Sequence, residues 1–119
     1  MTVLSDRDLG ELIEDEGAVV TEDGPDMDLD LQLGPSSLDL RLGYEFGVLE
    51  TRKVKAIDTQ RMDTYSDIKE RKTADTDTGM VVHPGEFVLG TTLETLDVPS
   101  DLVARIEGRS SYARLGLIP

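Results

Sequence analysis

In SSLDLRLG, residues 36–43, Leu38, Leu40 and Leu42 alternate with Asp39 and Arg41. Successive side chains of a strand point to opposite faces, so this spacing predicts a strand with one buried face. Leu29, Leu31 and Leu33 repeat the alternation and predict another. Further strand candidates are VVTE at 19–22, YEFGVLE at 44–50, KVKAID at 53–58, GMVV at 79–82, EFVLGTTLE at 86–94 and DLVARIEG at 101–108. Each is set off by Gly, Pro or polar residues. Many short strands predict a barrel or a sandwich.

One segment departs from that period. In LSDRDLGELIEDEG, residues 4–17, Leu9, Leu12 and Ile13 share a helical face. Ser5 stands as N-cap with Asp8 three residues on as a capping-box variant, Leu4 and Leu9 are placed as a hydrophobic staple, and Gly17 is a stop. Residues 58–79 are polar and poor in large aliphatics, which predicts a long excursion or an irregular hairpin.

The 119 residues are about one domain's worth of chain, and we expect a single domain over 1–119. With aromatics at only 4%, the core must be built from Leu, Val, Ile and Ala and will be modest, which favours further burial in an oligomer. The net charge of −13 argues against nucleic acid or an anionic membrane as partner, because both are bound through basic faces. It fits a halophilic protein from a high-salt cytoplasm, or an acidic mesophilic one. No cysteine is present, which excludes Cys nucleophiles and Cys-based zinc sites. The N-terminus has no apolar signal core and no run approaches about 18 apolar residues, so a cytoplasmic location is expected.

Against this acidic background, Arg105, Arg109 and Arg114 face a single nearby acid, Glu107. In GRSSYARLGL a glycine leads into Arg-Ser-Ser and a predicted helical turn near Ser110, an arrangement of hydroxyls, guanidiniums and free N–H groups that suits a polyphosphate. The alternative is that Ser110 caps the turn while Arg109 and Arg114 form surface ion pairs. His83 in HPGE is the lone histidine and reads as a turn residue. Asp39 and Arg41, two apart on one strand face, are expected to pair with each other. The acidic clusters at 11–16 and 22–30 lack calcium-loop spacing and read as solvated surface.

Three blocks resemble dCTP deaminase, within the wider group that includes trimeric dUTPases: SDRDLGELIEDEG, GPSSLDLRLG and HPGEFVLGTTLETLDVPSDLVARIEGRSSYARLGL. The last carries the most specific match, because RSS followed by ARLGL separates the deaminases from dUTPases, whose comparable motif usually reads RSG. The resemblance implies a mainly β, dUTPase-like fold, a distorted β-barrel or jelly roll (β-clip) with a short N-terminal helix. It also implies a homotrimer with sites between subunits, and hydrolysis of dCTP to dUTP and ammonia without zinc, Mg2+ entering with the triphosphate. By the same resemblance Ser110 corresponds to the serine holding the catalytic water and Arg114 to the active-site arginine of the signature. Arg109 and Ser111 correspond to triphosphate contacts, with Ser110 and Arg114 also at the nucleotide. The family's catalytic glutamate lies beyond the signature, so a fragment inactive by itself is expected, with the C-terminal part of the fold missing. The alternatives are a bifunctional enzyme forming dUMP and a non-catalytic nucleotide-binding or assembly module.

Overall fold

The computed structural model describes residues 2–50, 52, 56, 58, 60 and 68–119. The chain divides into two compact units, one formed by Met1–Arg41 with Thr92–Pro119 and the other by Leu42–Thr91.

The first unit opens with helix α1, Asp6–Glu14. It begins where the sequence predicts: the Ser5 hydroxyl accepts from the Asp8 N–H at 3.2 Å, and the Asp8 carboxylate accepts from the Ser5 N–H at 3.3 Å. The Ser5 hydroxyl donates to the same carboxylate at 2.8 Å and, with the Ser5 N–H, holds the Asp8 carboxyl below the usual carboxylate range. Ile13 is buried and Leu9 and Leu12 are half-buried on the apolar face, and the chain turns away at Gly17, whose φ of 65° suits glycine. Strand β1, Val19–Thr21, follows and pairs antiparallel with β7, Glu94–Leu96, placing Val19 opposite Leu96 and Thr21 opposite Glu94.

The alternating leucines at 29–33 do not make a strand. Leu29–Gln32 is a single helical turn, α2. Asp28 captures it, accepting the Leu31 N–H on its carboxylate at 3.3 Å and the Gln32 N–H on its carbonyl at 2.9 Å, while the Gln32 side chain accepts the Asp28 N–H at 3.0 Å. Capping therefore overrides the two-residue period and leaves Leu31 79% exposed. Two short strands follow, β2 at Leu33–Gly34 and β3 at Ser37–Leu38, paired antiparallel. The strand predicted through 38–42 is interrupted at 39–41, because the Arg41 N–H is taken by a Glu94 carboxylate oxygen at 2.8 Å.

In the second unit β4, Leu42–Leu49, is the central strand of a three-stranded sheet, between β5, Lys69–Thr73, and β6, Val88–Thr92. β4 and β5 run antiparallel from Glu45 opposite Thr73 to Leu49 opposite Lys69. β5 lies inside the polar stretch read as an excursion. All five of its residues are exposed, so it is held by its backbone ladder and carries no apolar stripe to betray it. Ile68, just before it, is 1% exposed. GMVV is not a strand: Gly79 forms an isolated bridge with Asp75, whose carboxyl is held low by N–H groups of Thr78 and Asp77. His83 takes its expected turn position, its N–H donating to the Glu86 carboxylate at 2.8 Å and its carbonyl accepting the Glu86 N–H at 3.0 Å. The KVKAID strand falls largely outside the described residues.

The buried apolar residues are few among those described: Ile13, Ala18, Val19, Val48 and Ile68. That is the modest aliphatic core expected from the composition. Among the described residues no helix is long and apolar enough to cross a membrane.

Candidate functional site

The signature segment begins as β7 ends, where the Asp97 N–H donates to the Ala18 carbonyl at 2.8 Å. The strand predicted at 101–108 is absent. A strand exists through its ladder, and residues 103–108 make no backbone hydrogen bond to any described residue. Val103 is consequently 97% exposed.

Arg109 then adopts an extended conformation and serves as N-cap of α3, Ser110–Ala113, its carbonyl accepting the N–H groups of Tyr112 and Ala113 at 3.0 Å each. The turn closes on Gly116, which has φ 89°. The Leu117 N–H reaches the Tyr112 carbonyl at 3.2 Å and the Gly116 N–H the Ala113 carbonyl at 3.0 Å. These are the paired bonds of a Schellman closure, which explains the glycine within ARLGL.

Ser110 is the first helical residue, not the cap, and no side chain caps this turn. The hydroxyls of Ser110 and Ser111 make no side-chain hydrogen bond among the described residues. Arg114 forms no ion pair among them either, although its N–H bonds to the Ser110 carbonyl at 3.1 Å. Arg105 pairs with Glu107 at 2.7 Å. Arg109 pairs with Asp39 at 3.3 Å, both partners solvent-exposed in part. Of the surface-pair alternative, then, Arg109 satisfies it, while Ser110 and Arg114 do not. Ser110, Ser111 and Arg114 stand together on one exposed turn, with Arg109 tied from its base back to the segment after β3.

A concavity between α1 and α2 is lined by four carboxylates, Asp6, Glu11, Glu14 and Asp30, against one cation, Arg7. Its carboxylates would repel a triphosphate. Among the described residues no group of three or more His, Asp or Glu side chains could hold a metal ion.

A family model described as dCTP deaminase-like matches residues 3–119. The chain belongs to the dCTP deaminase-like family. Its mainly β architecture with one short N-terminal helix agrees with the dUTPase-like fold that the resemblance implies. Relatives include a dCTP deaminase from Haloarcula marismortui, 40% identical over 116 residues, and a dCTP deaminase, dUMP-forming, from Methanobrevibacter smithii, 41% identical over 117 residues. Another dUMP-forming dCTP deaminase, from Halobacterium salinarum, is 40% identical over 116 residues. Each match takes in 98% of this chain, which spans 58% of the relative's length.

One expected ion pair does not form in this dCTP deaminase-like chain. Asp39 and Arg41 do not bond each other: Asp39 takes Arg109, and Arg41 takes the buried Glu94 with Nε 2.6 Å from Oε1. Nothing local marks Glu94 among so many acids. It is 53 positions from Arg41, and only the fold brings them together.

Proposed function

We propose that the whole protein deaminates dCTP hydrolytically, with water adding its oxygen to C4 of cytosine and the 4-amino group leaving as ammonia to give dUTP. The observation that carries this reading is the GRSSYARLGL segment, in a chain of the dCTP deaminase-like family, with Ser110, Ser111 and Arg114 grouped on one turn. In this reading Ser110 holds the attacking water and Arg114 acts at the nucleotide beside it. Arg109 and Ser111, with Ser110 and Arg114, contact the triphosphate, which arrives with Mg2+ as its counter-ion. The reaction also needs a general base to take the water's proton. The signature supplies positioning groups and no assigned base, so these 119 residues by themselves are expected not to turn over dCTP.

The protein is proposed to act as a homotrimer with sites between subunits, in the cytoplasm, supplying pyrimidine deoxynucleotides. Exposed apolar side chains along the signature segment, including Val103, Ile106 and Leu115, support cover by another subunit. The halophilic reading draws support from the charge of −13 and from relatives in Haloarcula and Halobacterium.

The test is incubation of the whole protein with Mg·dCTP, following ammonia and nucleotide products. Equimolar ammonia and dUTP are expected. A second reading, release of dUMP and pyrophosphate together with the ammonia, is favoured by the names of the Methanobrevibacter and Halobacterium relatives, and the same product analysis separates the two. Nucleotide binding without ammonia would instead identify a non-catalytic module. Ammonia release abolished by a zinc-specific chelator and restored by zinc would overturn the zinc-free mechanism.

A further inference from the structure

Resting on the reading of Arg109 as a triphosphate contact, we propose that Asp39 is a positioning residue for that arginine. Arg109 Nη1 lies 3.3 Å from Asp39 Oδ2, an ion pair. It is the single side-chain hydrogen bond or ion pair, among the described residues, between the signature segment from 103 onward and the rest of its unit. Asp39 is itself held on both sides of its peptide. Its N–H donates to the Gln32 carbonyl at 2.8 Å, and its carbonyl accepts from Gln32 Nε2 at 2.9 Å. Gln32 is buried, and the second N–H of the same amide donates to Glu94 Oε1 at 3.0 Å. A chain of contacts thus runs from the Glu94 carboxylate through Gln32 and Asp39 to the Arg109 guanidinium.

Guanidinium geometry makes this arrangement useful for binding. Arginine has five N–H donors in a planar fork, so one edge can rest on Asp39 while the others remain for phosphate oxygens. Holding a long side chain before the ligand arrives reduces the rotamer entropy lost on binding. An ion pair this exposed contributes little to stability. Removing it should therefore change phosphate affinity without changing the melting temperature.

The experiment is calorimetric binding of inorganic tripolyphosphate and of Mg·dCTP to the whole protein as wild type, Arg109→Ala, Asp39→Asn, Asp39→Glu and the Asp39→Asn/Arg109→Ala double variant. Arg109→Ala is expected to weaken both ligands by about tenfold or more. Asp39→Asn should weaken them by about three- to tenfold at an unchanged melting temperature, and the double variant should lose no more than Arg109→Ala alone. Asp39→Glu should recover most of the affinity. Wild-type or tighter binding by Asp39→Asn, beside a weakened Arg109→Ala, overturns the role of Asp39 alone; tighter binding would make the carboxylate a competitor of the phosphate. A lowered melting temperature with no recovery in Asp39→Glu overturns it as well, leaving a merely structural residue. Wild-type affinity in Arg109→Ala, or no binding by the wild type, removes the reading of Arg109 and the role of Asp39 with it.

Discussion

Arg41 Nε lies 2.6 Å from Glu94 Oε1, and the Glu94 side chain is wholly shielded from solvent. The Arg41 N–H also donates to Oε2 at 2.8 Å, and Gln32 donates to Oε1 at 3.0 Å. The guanidinium reaches on to the Thr21 hydroxyl and the Asp26 carbonyl, each at 3.2 Å. One carboxylate therefore joins β7, the irregular segment 39–41 and α2, and Arg41 extends the network to β1. Removing Arg41 would strand a buried charge, so Arg41→Met should cost about 3–5 kcal/mol in urea unfolding. Replacing both partners with apolar residues removes the desolvation penalty together with the attraction. Arg41→Met/Glu94→Leu should accordingly be more stable than Arg41→Met alone.

The same carboxylate sets part of the acid response. Burial acts to raise the Glu94 pKa, but the Arg41 guanidinium, the Arg41 N–H and the Gln32 amide outweigh it and leave the group below the usual glutamate range. A depressed native pKa gives stability that is present above the unfolded value, about 4.3, and is lost as pH falls through the native one. Melting curves from pH 6 to pH 3 should show wild-type stability falling below about pH 4.3, with a shallower fall in Glu94→Gln. Some slope should remain in that variant, because Asp8 and Asp75 are also held low. An identical slope in the two proteins would remove Glu94 from the acid response.

Where local chemistry decides the backbone, the sequence was readable. Ser5 and Asp8 cap α1 as expected, β1 and β4 form at runs rich in β-branched and aromatic residues, and HPGE turns at His83. Period alone misled at 29–33, where the alternation is the same as a strand's but Asp28 and Gln32 close a helical turn. It misled again at 101–108, whose apolar residues find no ladder partner among the described residues. EFVLGTTLE predicts one strand, yet β6 and β7 separate at Leu93, whose N–H donates to the Arg41 carbonyl at 2.9 Å. At the candidate site the helical turn beginning at Ser110 was legible in the signature, whereas the acids that face Arg41 and Arg109 were not. Those partners are chosen by tertiary contact across dozens of residues.

Gly116 offers a test of the signature's backbone. Its φ of 89° is disfavoured for any residue with a Cβ, yet a Cβ there would meet nothing within 4 Å. The cost of Gly116→Ala is therefore conformational and should be about 1–2 kcal/mol, local to the turn. Gly116→Asn should lose less, since asparagine tolerates the left-handed region better. Hydrogen exchange at the Leu117 N–H, which closes the turn on Tyr112, should quicken in Gly116→Ala. Unchanged exchange would show that the turn does not depend on this glycine.

Ser110 and Arg114 should differ in kind when each is replaced by alanine in the whole protein. Ser110 heads the turn as its first helical residue and its hydroxyl has no partner among the described residues, so Ser110→Ala removes no cap and no internal hydrogen bond. Arg114 likewise breaks no ion pair among those residues when it is removed. Both variants should therefore melt within about 0.5 kcal/mol of wild type, as surface substitutions do. Their kinetics should separate. Deleting a charge-assisted contact to the nucleotide costs roughly 1.5–3 kcal/mol, so Arg114→Ala should weaken dCTP binding as well as turnover. If Ser110 positions the water, as an oxyanion-type donor would, its loss should lower the chemical step by about two to three orders of magnitude with a smaller fall in affinity. Steady-state rates with Mg·dCTP and equilibrium binding of dCTP to both variants decide the matter. Folded variants with wild-type rates and affinities would remove Ser110 and Arg114 from the site, and a stability loss without a kinetic one would return both residues to a structural role.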